Sequence, residues 1–275
     1  MSKSSQFLTA LALAAAALAC SPTMAQSTWD FSGFTENVAN GGNYGNRWSN
    51  TISTTKLTIS AYSTTGSGGA LQTANIANYG AGSGFGVRNQ VETLGVSSPQ
   101  HSMDNYTNTD MLALSFTNAS TSAAVSVVLT QLMVGWHNTS TTTGLICNGL
   151  QSNCVDSDIS LLRWTGSGGP TLTNGTMASL LTAGWSLVNN YADMADDTNR
   201  ATGASSGSSW WLISAYNSAW GTGTNTSNLS NGDDFMKVLS SVTGTTGNVS
   251  VPGTLALSAL ALAGLGFIRR RSPAL

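Results

Sequence analysis

Two acidic stretches of the chain carry residue types that could bind a hard cation. The first contains Asp104, Asn105 and Asp110, and the second contains Asp156 and Asp158. Each stretch stands directly before a predicted strand, and carboxylate and amide oxygens on loops are the ligands that calcium prefers. If the two loops meet in space, these side chains could hold a calcium ion. Asp and Asn also cap turns by accepting hydrogen bonds from nearby backbone. We favour turn capping and leave the calcium site open.

The sequence gives no positive sign of a catalytic site. His101 and His137 are the two histidines of the chain, and neither belongs to the His-Glu-x-x-His pattern of zinc proteases. A glycosidase requires only two carboxylates at a suitable separation, and acids such as Glu92, Asp104 and Asp193 leave that reaction open. We therefore predict a protein that is not an enzyme, with a secreted hydrolase as the third hypothesis.

Tryptophans are the residues that favour a sugar-binding role. Those in the body of the chain include Trp48, Trp136, Trp164, Trp185, Trp210, Trp211 and Trp220. Flat aromatic faces stack on sugar rings, although large aromatic side chains also fill the cores of β-sandwiches. Trp210 and Trp211 should point to opposite faces of one strand. Trp220 lies in a polar loop, and we predict that it is the exposed ring of a carbohydrate-binding site.

Two cysteines are spaced as a disulfide-bonded pair. The chain has three cysteines, and Cys20 belongs to the N-terminal apolar segment. This leaves Cys147 and Cys154, with Asn148-Gly149 as a turn between them. An isolated pair in an exported protein indicates a disulfide, and two thiols cannot by themselves complete a structural zinc site.

The sequence pattern predicts many short strands, and these strands would position the residues described above. Apolar or β-branched runs alternate with clusters of Gly, Ser, Thr and Asn, and helical periodicity is almost absent. The predicted strands are Leu57–Tyr62, Met111–Phe116, Ala124–Trp136, Ile159–Trp164, Trp185–Tyr191, Trp210–Tyr216 and Phe235–Val242. This pattern predicts an all-β fold, a single β-sandwich or jelly-roll-like domain over residues 26–250.

Charge is sparse and unbalanced in this body. Charged residues make up 8% of the chain, and residues 26–250 contain six Lys and Arg against twelve Asp and Glu. The body therefore has a formal net charge of −6 and no basic patch, which argues against nucleic acid as a partner.

The N-terminus has the order of a secretory signal peptide. Lys3 precedes the apolar run Phe7–Ala19, and the small-residue segment Thr23-Met24-Ala25 follows. We predict a signal helix in residues 1–25, removed by signal peptidase after Ala25. An uncleaved membrane anchor and a lipoprotein signal ending at Cys20 are the alternatives.

The C-terminus contains a second apolar segment, which is bounded by a Pro-Gly pair and by a cluster of arginines. It consists of Val251-Pro252-Gly253, the apolar run Leu255–Ile268 and then Arg269-Arg270-Arg271. The run fits a short transmembrane helix whose arginines stay on the cytoplasmic side. A buried core helix is the alternative, but such a helix should show a polar stripe.

Together the two ends resemble the PEP-CTERM class of exosortase substrates. The chain has Pro252-Gly253-Thr254 in place of the usual Pro-Glu-Pro, and Val-Pro-Gly variants resemble a subset of the class. The resemblance implies that an exosortase-type enzyme cuts near Val251-Pro252. It further implies that the inner membrane holds the chain transiently before the body reaches the cell surface or the extracellular matrix.

The body is also similar to a group of exosortase-dependent surface proteins of unassigned role. The similarity rests on Gly84-Phe85-Gly86-Val87, Ser98-Pro99-Gln100-His101 with Asp104-Asn105, Gly135-Trp136, Asp156-Ser157-Asp158-Ile159-Ser160, Gly184-Trp185 and Trp210-Trp211-Leu212-Ile213-Ser214. We expect a non-enzymatic surface protein associated with exopolysaccharide or a biofilm matrix. The alternative is a carbohydrate-binding module with calcium-stiffened loops.

Overall fold

The alternating apolar runs of the sequence form two antiparallel β-sheets. The structure is a computed structural model that describes residues 25–37, 44–80, 82–92, 101–137, 156–223 and 228–246. Within these ranges residues 26–246 belong to one compact unit. In chain order the strands are β1 (Ala25–Asp30), β2 (Thr35–Glu36), β3 (Arg47–Ile52), β4 (Thr55–Thr64), β5 (Leu71–Thr73), β6 (Asn75–Asn78), β7 (Phe85–Arg88), β8 (Met103–Asp104), β9 (Asp110–Asn118), β10 (Val127–His137), β11 (Ile159–Trp164), β12 (Trp185–Tyr191), β13 (Arg200–Ala201), β14 (Trp210–Ala215) and β15 (Phe235–Thr246).

Sheet A is organised around its longest strand, β15. The strand order is β13-β10-β15-β7-β6, and β1 and β8 also pair with β15. The pairing of β15 with β10 runs from Val127↔Thr246 to His137↔Met236 and contains three register irregularities. Such β-bulges bend the strands and increase their twist.

Sheet B has the order β12-β11-β14-β9-β4-β3-β2, and β5 pairs with the end of β4. Strand β4 shows why these segments are strands. Its buried side chains alternate with half-buried ones, so Leu57, Ile59 and Ala61 share one face. The same face of the neighbouring strand β9 carries Leu112 and Leu114.

The main hydrophobic core lies between the two sheets. Sheet B contributes residues such as Leu114 and Ile213, and sheet A contributes residues such as Leu129 and Val238. Trp211 is fully buried in this core, where its indole N–H donates to backbone carbonyl oxygens. The structure is therefore a sandwich-like all-β fold.

A second apolar cluster covers the opposite face of sheet B. Met111 and Leu212 alternate along their strands with the residues that face the main core. A short helix, α1 (Met177–Ala183), packs into this cluster. Its first turn is closed by a capping box between Thr176 and Ser179, and it ends at Gly184, whose φ of 118° favours glycine.

Each predicted strand overlaps a strand of the structure, so the all-β prediction is confirmed in its coarse form. The predicted signal helix and the predicted tail helix lie outside the described residues. Among the residues that are described, no helix is long and apolar enough to cross a membrane.

Candidate functional site

The two acidic stretches meet in the fold, and a third acidic segment joins them. Asp156 forms an isolated bridge with Asp234, the residue that precedes strand β15. One carboxylate oxygen from each of Asp156, Asp158 and Asp234 lies within 4.8 Å of the other two. We call these three residues the aspartate cluster. Asp158 and Asp234 are fully buried.

Asn105 connects the first acidic stretch to the aspartate cluster. Its side-chain NH₂ donates to Asp234 Oδ2 and, over 2.9 Å, to the backbone oxygen of Tyr216. Its Oδ1 accepts hydrogen bonds from the N–H groups of Gly232 at 3.0 Å and Asp234 at 3.1 Å. Asn105 therefore joins the loop after β8 to the end of β14 and the start of β15.

The carboxylates of the aspartate cluster are fixed by backbone donors. Asp234 Oδ1 accepts from the N–H of Asp158 at 2.6 Å. The two oxygens of Asp158 accept from the N–H groups of Asp193 at 2.9 Å and Ser230 at 3.1 Å. Within the described part of the chain, no lysine or arginine forms an ion pair with the cluster.

Burial makes Asp158 and Asp234 bind protons more tightly than free carboxylates do. Burial raises the pKa of Asp158 to about 7, and the nearby charge of Asp156 adds to the rise. Burial also raises the pKa of Asp234 well above its usual range, with the charge of Asp158 as the next contribution. Asp158 can therefore take up a proton near neutral pH.

A second group of carboxyls surrounds the start of β9, and we call Glu92, Asp104 and Asp110 the Glu92 group. The N–H of Asp104 donates to Asp110 Oδ2 at 3.4 Å. Glu92 accepts from the N–H groups of Asn89 at 2.9 Å and His101 at 3.4 Å. Asp110 is fully buried, and its Oδ1 has no hydrogen-bond partner among the described residues.

Burial also dominates the protonation of the Glu92 group. It raises the pKa of Glu92 to about 6. The pKa values of Asp104 and Asp110 lie well above the usual range because of burial, and the charge of Glu92 adds to both shifts. Buried carboxyls favour the neutral form, and the charge of Arg88 offsets this only in part at Glu92, so burial favours bound protons or a bound cation in this group.

The predicted ligand residues are thus brought together as two groups. Asn105 bonds to the aspartate cluster, which contains Asp156 and Asp158, whereas Asp104 and Asp110 belong to the Glu92 group. Turn capping is confirmed at Asp104, whose Oδ1 accepts from the N–H of Tyr106 at 3.2 Å.

Asp234 is the member that the sequence reasoning missed. It precedes strand β15 as Asp156 and Asp158 precede strand β11. The same signal, an acidic residue at the start of a strand, was therefore present in the sequence.

The prediction that Trp220 is an exposed ring is wrong. Its side chain is 4% exposed, because it packs in the second apolar cluster with α1. Its indole N–H donates to the backbone oxygen of Met177 at 2.6 Å. The polar residues around Trp220 in the sequence gave no sign that its ring packs against helix α1. The opposite orientations predicted for Trp210 and Trp211 are confirmed, since they pack with different clusters.

Two remaining features that could carry chemistry lie at the end of β10 and between β13 and β14. His137 Nδ1 lies 2.6 Å from Asp196 Oδ1 at the end of β10. The segment Gly203-Ala204-Ser205-Ser206-Gly207 has the Gly-x-Ser-x-Gly spacing. It connects strand β13 to strand β14, whereas the nucleophile motif requires a turn from a strand into a helix.

The predicted disulfide Cys147–Cys154 and the predicted sorting residues Val251, Pro252, Gly253, Arg269, Arg270 and Arg271 lie outside the described residues.

Comparison with protein-family models, with curated proteins and with solved structures gives no match for this chain.

Proposed function

We propose that the chain is an exported, non-enzymatic protein of the cell surface or extracellular matrix that associates with exopolysaccharide. The observation that carries this proposal is where the compact unit begins and ends. It spans Gln26–Thr246, and Gln26 is the first residue after the expected signal-peptidase site. The last strand ends at Thr246, before the expected sorting site at Val251-Pro252.

Cleavage after Ala25 and near Val251-Pro252 would remove only the first residue of β1 from the described strands. All the other described strands would stay intact. The proposed arrangement is a signal helix, a β-sandwich or jelly-roll domain and a short hydrophobic tail helix with its Arg cluster. In this arrangement the exosortase-type enzyme releases a folded body from the inner membrane to the surface. The polar surface, rich in Ser, Thr and Asn, suits a hydrated polysaccharide matrix.

Intact mass tests the proposal. The protein is recovered from cells and from medium, with the sorting enzyme present and absent. We expect the exported form to lack residues 1–25 and to end near Val251-Pro252 only when the enzyme is present. A variant with Arg269, Arg270 and Arg271 replaced by Gln should accumulate with its tail, whereas Arg163→Gln in the body should be processed normally. A tail retained in the membrane whether or not the enzyme is present would contradict the proposal.

Calcium binding that stiffens the acidic loops is a second candidate function. Calcium binds oxygen at about 2.3–2.6 Å, so ligands on opposite sides of one ion lie about 5 Å apart. The 4.8 Å limit within the aspartate cluster is compatible with that spacing. No lysine or arginine of the described ranges forms an ion pair with these three carboxylates, so a bound divalent cation would supply their missing positive charge.

Calorimetric titration with calcium chloride tests this second candidate. We expect saturable binding and a higher Tm with calcium than with a chelator. Asp234→Asn should abolish both effects. Asp30→Asn is the matched control, because Asp30 is an exposed turn-capping residue that bonds to the N–H of Ser32. The absence of binding heat together with an unchanged Tm would refute calcium binding.

A further inference from the structure

The side chain of Lys237 lies between two aromatic rings on sheet A. Its Nζ is 4.0 Å from the ring centroid of Tyr79 and 4.0 Å from that of Trp136. Lys237 is 6% exposed, whereas Tyr79 is 38% exposed and Trp136 is half-buried. A cation is therefore held beside an aromatic ring that solvent, or a ligand, can reach.

Sheet geometry explains how these residues meet. Met236 and Val238 face the main core, so Lys237 between them points to the other face of sheet A. Trp136 is the cross-strand partner of Lys237. Tyr79 follows β6, and its ring lies against Gly86 of the intervening strand β7, where an added Cβ would be 3.3 Å from the ring.

The ammonium group has no anionic partner in the described part of the protein. No hydrogen bond or ion pair joins the side chain of Lys237 to another residue in those ranges, and its ammonium contacts the two ring faces. Burial lowers the pKa of Lys237, and no neighbouring carboxylate counteracts the shift. Ring faces attract the charge of an ammonium, but they do not offer oxygen acceptors to its three N–H donors.

We propose that Lys237, Tyr79 and Trp136 form a binding site for the carboxylate-bearing sugar of an acidic polysaccharide. A carboxylate would accept a charge-assisted hydrogen bond from the ammonium, and the apolar face of the sugar ring would stack on the exposed part of Tyr79. This inference rests on the proposed function and specifies its ligand class.

The overall charge of the protein means that an acidic polysaccharide could bind only at a local cation. The body carries a formal net charge of −6, so its long-range field repels a polyanion. Binding of an acidic polysaccharide therefore requires a defined cation rather than a diffuse basic surface. Lys237 offers that cation with two aromatic faces already in place.

Calorimetry on the full chain with trigalacturonate tests the proposal, and the methyl-esterified trimer is the uncharged control. We expect the acid to bind and the ester to bind at least tenfold more weakly. Lys237→Met should weaken binding of the acid at least tenfold, whereas Lys56→Met, at a half-buried lysine of β4, should leave it unchanged. Tyr79→Leu retains the cation, removes a ring that is partly exposed and should also weaken binding.

Equal binding of the acid and the ester, or unchanged binding by Tyr79→Leu and a folded Lys237→Met, would overturn the inference. Inorganic sulfate that competes fully for the site, with no dependence on Tyr79, would overturn the sugar assignment. Failure of the acidic-sugar site can be distinguished from failure of the proposed function. A protein processed at both ends that does not bind trigalacturonate keeps its export route and loses only this ligand.

Discussion

Replacement of Asn105 by alanine should strongly destabilise the protein, because one side chain holds three loops together. The amide is 8% exposed and makes four hydrogen bonds. Two are donated, to the backbone oxygen of Tyr216 and to Asp234. Two are accepted, from the N–H groups of Gly232 and Asp234. Alanine leaves all four of these partners without their bond in a buried position.

The magnitude follows from counting these bonds. A typical hydrogen bond contributes about 1 kcal/mol net, and one to a charged group contributes about 1.5–3 kcal/mol. The raised pKa of Asp234 reduces its charge, so we assign its bond the lower value. Water entering the vacated space restores part of the loss. We expect Asn105→Ala to lower the free energy of unfolding by ~3–4 kcal/mol.

Urea denaturation followed by tryptophan fluorescence provides the assay. Asn118→Ala is the matched control, because Asn118 Oδ1 accepts from the N–H groups of Ser120 and Thr121 in an exposed turn. That change should cost less than about 1 kcal/mol, since water can replace both donors. If Asn105→Ala lowered the free energy of unfolding no more than the control does, the argument that Asn105 joins the loops would be refuted.

Three further predictions concern pH, a glycine and a buried indole. The pKa of Asp158 is about 7 in the fold against a usual 3.8, so the folded state binds more protons across that window and stability falls as pH rises through it. Without divalent cations, the free energy of unfolding should be ~1–2 kcal/mol higher at pH 5 than at pH 8 after allowance for solvent screening. Gly86→Ala should cost ~2–3 kcal/mol, since the new Cβ would overlap the backbone oxygen of His101. Trp211→Phe should cost ~2–3 kcal/mol, since it removes the indole N–H that bonds to Val127 and leaves a cavity in the main core.

Denaturation measurements decide each of these outcomes. Asp158→Asn should reduce the fall in stability between pH 5 and pH 8 without abolishing it, because Glu92 and Asp234 also have raised pKa values. A profile unchanged by that substitution would contradict the assignment. Gly82→Ala is the matched control for Gly86→Ala, because nothing lies within 4 Å of an added Cβ there and neither glycine has a left-handed φ. Equal losses at the two glycines would show that the close approach to His101 does not set the cost. A Trp211→Phe protein as stable as the native chain would contradict the hydrogen-bond argument.

The strands that were predictable are those whose apolar residues face a core. Strand β11 has the predicted bounds Ile159–Trp164, because its apolar residues Leu161 and Leu162 are buried on opposite faces of sheet B. Strands β6 and β7 gave no comparable signal, since they are four residues long and contain Asn75, Gly86 and Arg88. Helix α1, with seven residues, is too short to establish a helical period.

The candidate site was predictable in its residue types and not in its partners. Acidic residues before strands identified Asp156 and Asp158, yet pairing with Asp234 depends on strand β15 arriving beside them from 76 residues away in the chain. The prediction that Trp220 is exposed failed for a related reason. A polar loop sequence predicts exposure only if no other element covers it, and α1 does so here.

Strand β15 also determines when sheet A can be completed. It is the last described strand in the chain, and it pairs with β1, β7, β8 and β10. For a polypeptide translocated N-terminus first, as proposed here, sheet A cannot be completed until Thr246 has crossed the membrane. Sheet A would thus remain incomplete throughout transport, and the arrival of β15 would complete it on the far side. A membrane-held tail would keep that segment near the translocation site while the late, long-range pairings form.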